Sequence, residues 1–171
     1  DVKSLLRLLV TSDTYQQDSR LTDNLRTMDP ENRLLARGPR FRLSAEAIRD
    51  QALAVGGFLV GDHGGPPVRP YHPPGLYEQV VAGSSADTYV TDRGAALYRR
   101  TLYTYWKRSV PHPAMMVFDA ADRSNCSVKR QSTSTPLQAL TLLNDVQHTE
   151  AARFVAERML KDGSEFDNDR Y

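Results

Sequence analysis

The sequence predicts a mainly α, irregular helical domain with long Gly/Pro-rich loops and at most short β pieces. Three observations predict it. Apolar residues recur at helical spacing in several separate stretches. Cap signals stand before candidate helices at Ser44 and Thr135, the second followed by Pro136. Residues 56–75 hold six glycines and five prolines, out of ten of each in the 171-residue chain, a composition that marks a loop.

Taken in order, Val2, Leu5, Leu6, Leu9 and Val10 share one face and give an amphipathic helix over 2–10. The polar run TSDTYQQDSR ends it. Asp29-Pro30-Glu31-Asn32 reads as a second start, with Pro at the first helical position, and a short helix over 30–36 is expected to stop at Gly38-Pro39. Ser44 caps the next helix, 45–58, whose apolar stripe is Ala45, Ile48, Ala52, Val55 and Leu59. From 59 to 93 periodicity is weak, and the stretch reads as one long loop. Within it, P-x-x-P spacings at Pro67–Pro70 and Pro70–Pro73 favour extended geometry, packed by Tyr71, Leu76 and Tyr77.

Leu97, Tyr98, Leu102, Tyr105 and Trp106 fall on one helical face, so a helix is expected over 93–108, ended by Pro111 and Pro113. A strand is the alternative, because Tyr, Thr and Trp favour sheets. Residues 115–118 and 126–130 are candidate short extended pieces. Thr135-Pro136-Leu137-Gln138 is the sharpest local signal: a cap, a proline at the first helical position, and a Gln placed to close a capping box over helix 136–143. Asn144 with Gln147 repeats the box and opens a last helix to Lys161, with a narrow apolar face of Ala151, Ala152, Val155, Ala156 and Met159. Gly163 is the expected stop, and the acidic tail SEFDNDRY is expected to fray.

The length fits a single domain over 1–171. The chain begins inside a helical pattern, so a fragment of a larger multidomain polypeptide is expected. Net charge is +1, which supplies no global field for nucleic acid or membrane. No apolar run approaches the roughly 20 residues that cross a bilayer. The single cysteine, Cys126, excludes an internal disulfide and any two-cysteine metal or haem-attachment motif; it reads as a small, half-buried apolar residue.

Tests for chemistry return little. Phosphate-binding glycine patterns, G-x-S-x-G and H-E-x-x-H are all missing. His148-Thr149-Glu150 matches the first part of a zinc-deaminase signature without its P-C-x-x-C partner. His63 and His72 flank the Gly/Pro loop; the plainer reading is two exposed loop residues, and no metal site is expected. Asp119, Asp122, Arg123 and Arg130 are the weak catalytic candidates: two carboxylates three apart in the loop FDAADR bind a cation, act as acid and base, or simply cap a turn. Residues 97–131 carry a local charge of +5, against −4 for the rest, with aromatic residues among the bases. Arg99, Arg100, Tyr103 and Lys107 are therefore weak candidates for binding a glycan or stacking a base. The plainer reading puts Tyr98, Leu102 and Trp106 in the core and pairs the bases with acids elsewhere.

Three blocks carry a resemblance: DPENRLLARGPRFRLSAEAIRDQAL, GGPPVRPYHPPGLYEQV and residues 98–144. In this order they resemble the planctomycete secreted-protein domain of unknown function, abbreviated PSD. The family's TNTPLQAL is matched by Thr133-Ser134-Thr135-Pro136-Leu137-Gln138-Ala139-Leu140, a change that keeps the cap. Relatives often carry Pro where this chain has Val146, which weakens the expected break between the last two helices. The resemblance implies a large secreted or periplasmic bacterial protein, often with a planctomycete-type cytochrome c domain. It implies that any haem is held outside this chain, whose own expected cofactor is none. It supplies no catalytic residues.

The expected function is thus a structural or interaction domain whose partners are other domains of the same polypeptide or assembly, linked to extracellular polysaccharide use or to a cytochrome c module. The alternative is a carbohydrate-active or hydrolytic module using the loop 118–130. Nucleic-acid binding through 97–131 is a third and weaker reading. Two outcomes separate the first two. Convergence of Asp119, Asp122, Arg123, Arg130 and a loop histidine on one pocket favours the enzyme. Pairing of the arginines with Asp29, Glu31, Glu46 or Asp50 in a filled core favours the scaffold.

Overall fold

The computed structural model describes residues 1–77 and 88–163. Six α-helices are present among them: α1 (Val2–Val10), α2 (Asp23–Met28), α3 (Ala45–Gly56), α4 (Pro113–Val117), α5 (Pro136–Asn144) and α6 (Val146–Gly163). Two 3₁₀ turns, Gly94–Tyr98 and Thr101–Tyr103, lie between α3 and α4. The architecture is mainly α, as the periodicity predicts, and pairing among the described residues is limited to isolated bridges such as Val60 with Arg99 and Val68 with Thr104. The chain divides into two compact units, Asp1–Arg42 and Leu43–Tyr171.

In the first unit, Asp1 caps α1 by accepting from the Lys3 N–H at 3.0 Å. The helix occupies the predicted span, yet none of its residues is buried. Thr22 caps α2, a helix that the sequence reading missed. The expected helix over 30–36 does not form, because side chains there take the backbone groups that a helix would need. Both Asp29 carboxylate oxygens accept from backbone N–H groups, of Arg33 and Leu34, at 2.8 Å each. Asn32 brackets Arg37, donating to its carbonyl and accepting from its N–H. The Arg37 guanidinium returns to the carbonyls of Asp29 and Pro30. Asn32 and Leu35 both sit at φ +55°, outside any right-handed helix. Bonds from the Leu34 and Arg33 N–H groups hold the Asp29 carboxyl below its usual range.

The second unit is organised by α3. Ser44 caps it as expected, accepting from the Ala47 N–H at 3.2 Å. Gly57 ends it in the left-handed region, at φ +84°. Its buried face is Ala45, Arg49, Leu53 and Gly56. The expected stripe therefore has the wrong phase after Ala45, and Val55 is 52% exposed. Helix α3 packs on α6, on α4 and on the second 3₁₀ turn, while α5 packs on α4 and α6. A small core of Ala45, Met115, Phe118 and Ala120 lies beside Ile48 and Trp106.

Residues 93–108 are not a helix. Arg99 and Arg100 are extended, with ψ near 156° and 141°, and break the segment into its two 3₁₀ turns. Neighbouring chain takes the carbonyls that a helix would use: Tyr98 O accepts from Val60 N, and Tyr103 O from Val68 N. Leu102, expected in the core, is 68% exposed. Residues 115–118 fall in α4 and its C-cap rather than in an extended piece, with Pro113 at the first helical position. Residues 126–130 are irregular, and Cys126 is exposed rather than half-buried.

Helix α5 starts where the cap signal puts it, and Gln138 Oε1 accepts from the Thr135 N–H at 3.4 Å. Asp145, not Asn144, caps α6, accepting from Gln147 N at 3.1 Å and His148 N at 3.4 Å. The α6 residues turned inward include Gln147 and Ala151, with Phe154 against the Phe58 ring, whereas Met159 is exposed. Within the predicted 59–93 loop, residues 78–87 lie outside the described residues, as does the tail 164–171. The described part is ordered by buried Val68, Pro70 and Tyr77. Tyr89 donates to Pro70 O, and Asp92 exchanges hydrogen bonds with the Arg69 backbone.

Candidate functional site

The Arg49 side chain, on the buried face of α3, makes four hydrogen bonds. It is 4% exposed. Its Nε–H donates to Gln147 Oε1 on α6 at 2.6 Å. One terminal nitrogen donates to Arg99 O at 2.9 Å and Thr101 Oγ1 at 3.0 Å, and the other donates to Leu97 O at 2.7 Å. Asp50 lies beside it, its Oδ1 accepting from both the N–H and the hydroxyl of Thr101. Burial lowers the Arg49 guanidinium to about 10, with Asp50 opposing, so it stays charged at neutral pH. This network fixes the two 3₁₀ turns against α3 and α6.

The Asp/Arg loop is partly brought together. Asp119, Asp122, Lys129 and Arg130 line one open groove of about 440 Å³. Arg123 instead lies over the Trp106 ring, 4.7 Å from its centre, while Trp106 Nε1–H donates to Asp122 O. No histidine is among the described residues of that groove. His63 is exposed and lines a different groove with Asp50 and Arg100.

The groove's charged groups are also structural. Asp119 accepts from the Thr133 N–H at 2.8 Å and from its hydroxyl. Asp122 Oδ1 accepts from Ser124 N at 2.9 Å, a turn cap. Arg130 donates to both Glu46 oxygens, at 2.8 and 2.7 Å. Burial works against ionisation of Glu46, but the Arg130 bonds leave its carboxyl below the usual range.

The binding candidates have partners within the chain. The Arg99 guanidinium lies over the Tyr103 ring at 4.2 Å and donates to Pro66 O and Gly64 O. Tyr103 Oη accepts from Gly64 N at 2.8 Å. Together they hold the glycine-rich stretch 62–66. Arg100 pairs with Asp50 at 3.5 Å, and Lys107 sits over Tyr77 at 4.9 Å. Arg100 pairs with Asp50 and Arg130 with Glu46, but both arginine side chains are 46% exposed, so these pairs do not lie in a filled core, and the groove's described lining lacks both Arg123 and a histidine; neither of the two outcomes is met in full.

A second buried cluster was not anticipated. His72 is half-buried rather than exposed, its ring 4.7 Å from that of Tyr89 and 5.9 Å from that of His112. His112, 7% exposed, bonds through Nε2 to Tyr71 O at 2.7 Å. Glu150 Oε1 accepts from Tyr98 Oη at 2.9 Å and Tyr71 Oη at 3.5 Å. Burial, then the Glu150 bond, raises the Tyr98 hydroxyl above its ordinary value.

Sequence reasoning gave Arg49 and His112 no structural role, and it read Gln147 only as a capping-box residue and Glu150 only as part of an incomplete zinc-deaminase match. Arg49 did leave a signal: it stands four residues after Ala45 and four before Leu53, at core spacing. Arginine is so seldom buried that the apolar residues beside it drew the stripe instead. No group of three or more His, Cys, Asp or Glu among the described residues is arranged to hold a metal ion. Among the described residues, no helix is long and apolar enough to cross a membrane.

A family model described as PSD1, protein of unknown function (DUF1553), matches residues 1–169. No curated protein and no solved structure matches the chain.

The Arg49 network yields a quantitative expectation. Arg49→Met leaves Gln147 Oε1 without its Arg49 donor in the interior, and the Leu97 carbonyl with only the long bond from Gln147 Nε2 at 3.5 Å. In urea unfolding it should cost about 3 kcal/mol or more. Arg49→Lys keeps the charge but not the fork, and should recover only part of that loss. A methionine variant within about 0.5 kcal/mol of wild type would show the network to be dispensable.

Proposed function

The chain belongs to the PSD1 family, whose model covers residues 1–169, and we propose that it serves as a non-catalytic structural or interaction domain of a secreted multidomain bacterial protein. The observation that carries this reading is the apolar face of α1. Leu5, Leu6 and Leu9 are 56%, 54% and 53% exposed, and no residue of the helix is buried. Isolated helices shorter than about 12 residues are marginal in water, and most draw their stability from packing an apolar face. A nine-residue helix with that face open is therefore expected to gain a cover in the working protein. The same unit holds an open groove of about 750 Å³, walled by Leu9, Tyr15, Leu35, Pro39 and Phe41.

The proposed occupant is an apolar segment of another domain of the same polypeptide. The secreted or periplasmic setting, and a link to a cytochrome c module or to extracellular polysaccharide use, are proposed on the family resemblance. Any haem would belong to another part of that polypeptide.

Amide hydrogen exchange tests the proposal. The α1 amides should be at least tenfold better protected in the intact polypeptide than in the 171-residue chain alone. Leu5→Glu with Leu9→Glu should abolish the difference. Equal protection in both settings would overturn the reading.

A second reading rests on the polar groove. Asp119, Asp122, Lys129 and Arg130 share one concave surface, which suits a saccharide better than an apolar ligand. On that reading, Asp122→Ala and Lys129→Ala weaken binding to extracellular polysaccharides about tenfold or more, the loss of one or two charge-assisted hydrogen bonds. Variants that bind as wild type does would remove it.

A further inference from the structure

The imidazole of His112 is held where a positive charge has no room. It precedes α4, whose Met116 N–H donates to His112 O at 3.1 Å. Its Nε2 is committed to Tyr71 O, and its Nδ1 is buried with no partner. His112 lines a narrow cavity of about 10 Å³ with Arg49, Asp145, Gln147 and His148. A space that size holds no more than one water molecule, so bulk solvent cannot disperse a charge placed there.

The groups facing His112 differ in sign. From α3 comes the Arg49 guanidinium, and from the loop comes the His72 imidazole, with ring centres 5.9 Å apart. Both resist a charge on His112. From the α5–α6 junction comes the Asp145 carboxylate, which would favour it, but Asp145 is already engaged by His148 Nδ1 at 3.1 Å and by the Gln147 N–H. His148 itself stands on α6, its Nε2 buried and unpartnered.

We propose that this cavity is an acid-sensitive joint, in which protonation of His112 sets a second buried cation beside Arg49 and loosens α6 from α3. The joint bears on that contact because Gln147, on the cavity wall, is also the α6 acceptor for Arg49. Burial lowers the His112 imidazole from 6.5 to about 4, against the smaller raising effects of the Tyr71 bond and Asp145. The native form therefore refuses a proton that the unfolded chain accepts. Stability is full above 6.5 and is lost as pH falls towards 4. One such group lowers the folded-to-unfolded ratio by up to about tenfold per pH unit inside that window.

The test uses the full chain and two readouts. Protection factors of α6 amides that exchange by global opening should fall about tenfold per pH unit below 6 in the wild type. His112→Gln should flatten that slope. Long-range nitrogen–proton spectra of the wild type should show His112 neutral wherever α6 is protected, and they decide the question even if the glutamine variant does not fold. A wild-type His112 ring that titrates near 6.5 with α6 protection intact would overturn the proposal. So would a folded His112→Gln variant with an unchanged slope.

Discussion

Burying a guanidinium is unfavourable unless its N–H groups find acceptors, and Arg49 finds four. Two of them, the carbonyls of Leu97 and Arg99, belong to a stretch with little regular structure of its own. The aliphatic stem of Arg49 lies on the buried face of α3 between Ala45 and Leu53, and its head reaches α6 through Gln147. One side chain thus supplies the polar connections that a sheet or longer helices would otherwise supply. The consequence is a unit whose order depends on polar geometry as much as on its small core of Ala45, Met115, Phe118 and Ala120. Such networks specify one arrangement strictly, because a partly satisfied version is worse than none.

This dependence explains what could be read from the sequence. Helices whose start is set by a local cap were legible: Ser44 before α3, and Thr135 with Pro136 before α5. Segments settled by distant partners were not. The aromatic run from Leu97 to Trp106 has helical spacing, but Arg49, Val60 and Val68 take its backbone groups, and it becomes two short turns. The segment 30–36 carries a helix-start signal, yet the Asp29 carboxylate folds back on two N–H groups and makes a turn instead. In α3 and α6 the helices were found but the buried face was misphased, because Arg49 and Gln147 are polar residues in core positions.

The candidate site shows the same division. Asp119, Asp122 and Arg130 do share a groove, as their spacing allowed. Most of their charged atoms nonetheless meet Thr133, Ser124 and Glu46, and the arginines and tyrosine of 99–103 hold the loop at 62–66 and Asp50. Basic and aromatic residues interleaved in sequence suggest a binding surface. Here several of them stack on one another within the chain, as Arg99 does on Tyr103 and Arg123 on Trp106. Among the described residues, apolar side chains are left exposed on two helices: the leucines of α1, and on α5 Leu137, Leu140 and Leu143. The proposed role as an interaction domain would use both features, polar groups that serve the fold's own order and apolar faces open to partners.

The central claim is that Arg49 and Gln147 act as one connection between α3 and α6. A double-mutant cycle in denaturant unfolding, with Arg49→Met, Gln147→Leu and the two combined, tests it most directly. The account predicts a coupling of about 1 kcal/mol or more, with the double variant less destabilised than the sum of the singles. Additivity within about 0.3 kcal/mol would contradict it, and would mean that the two residues stabilise the fold independently.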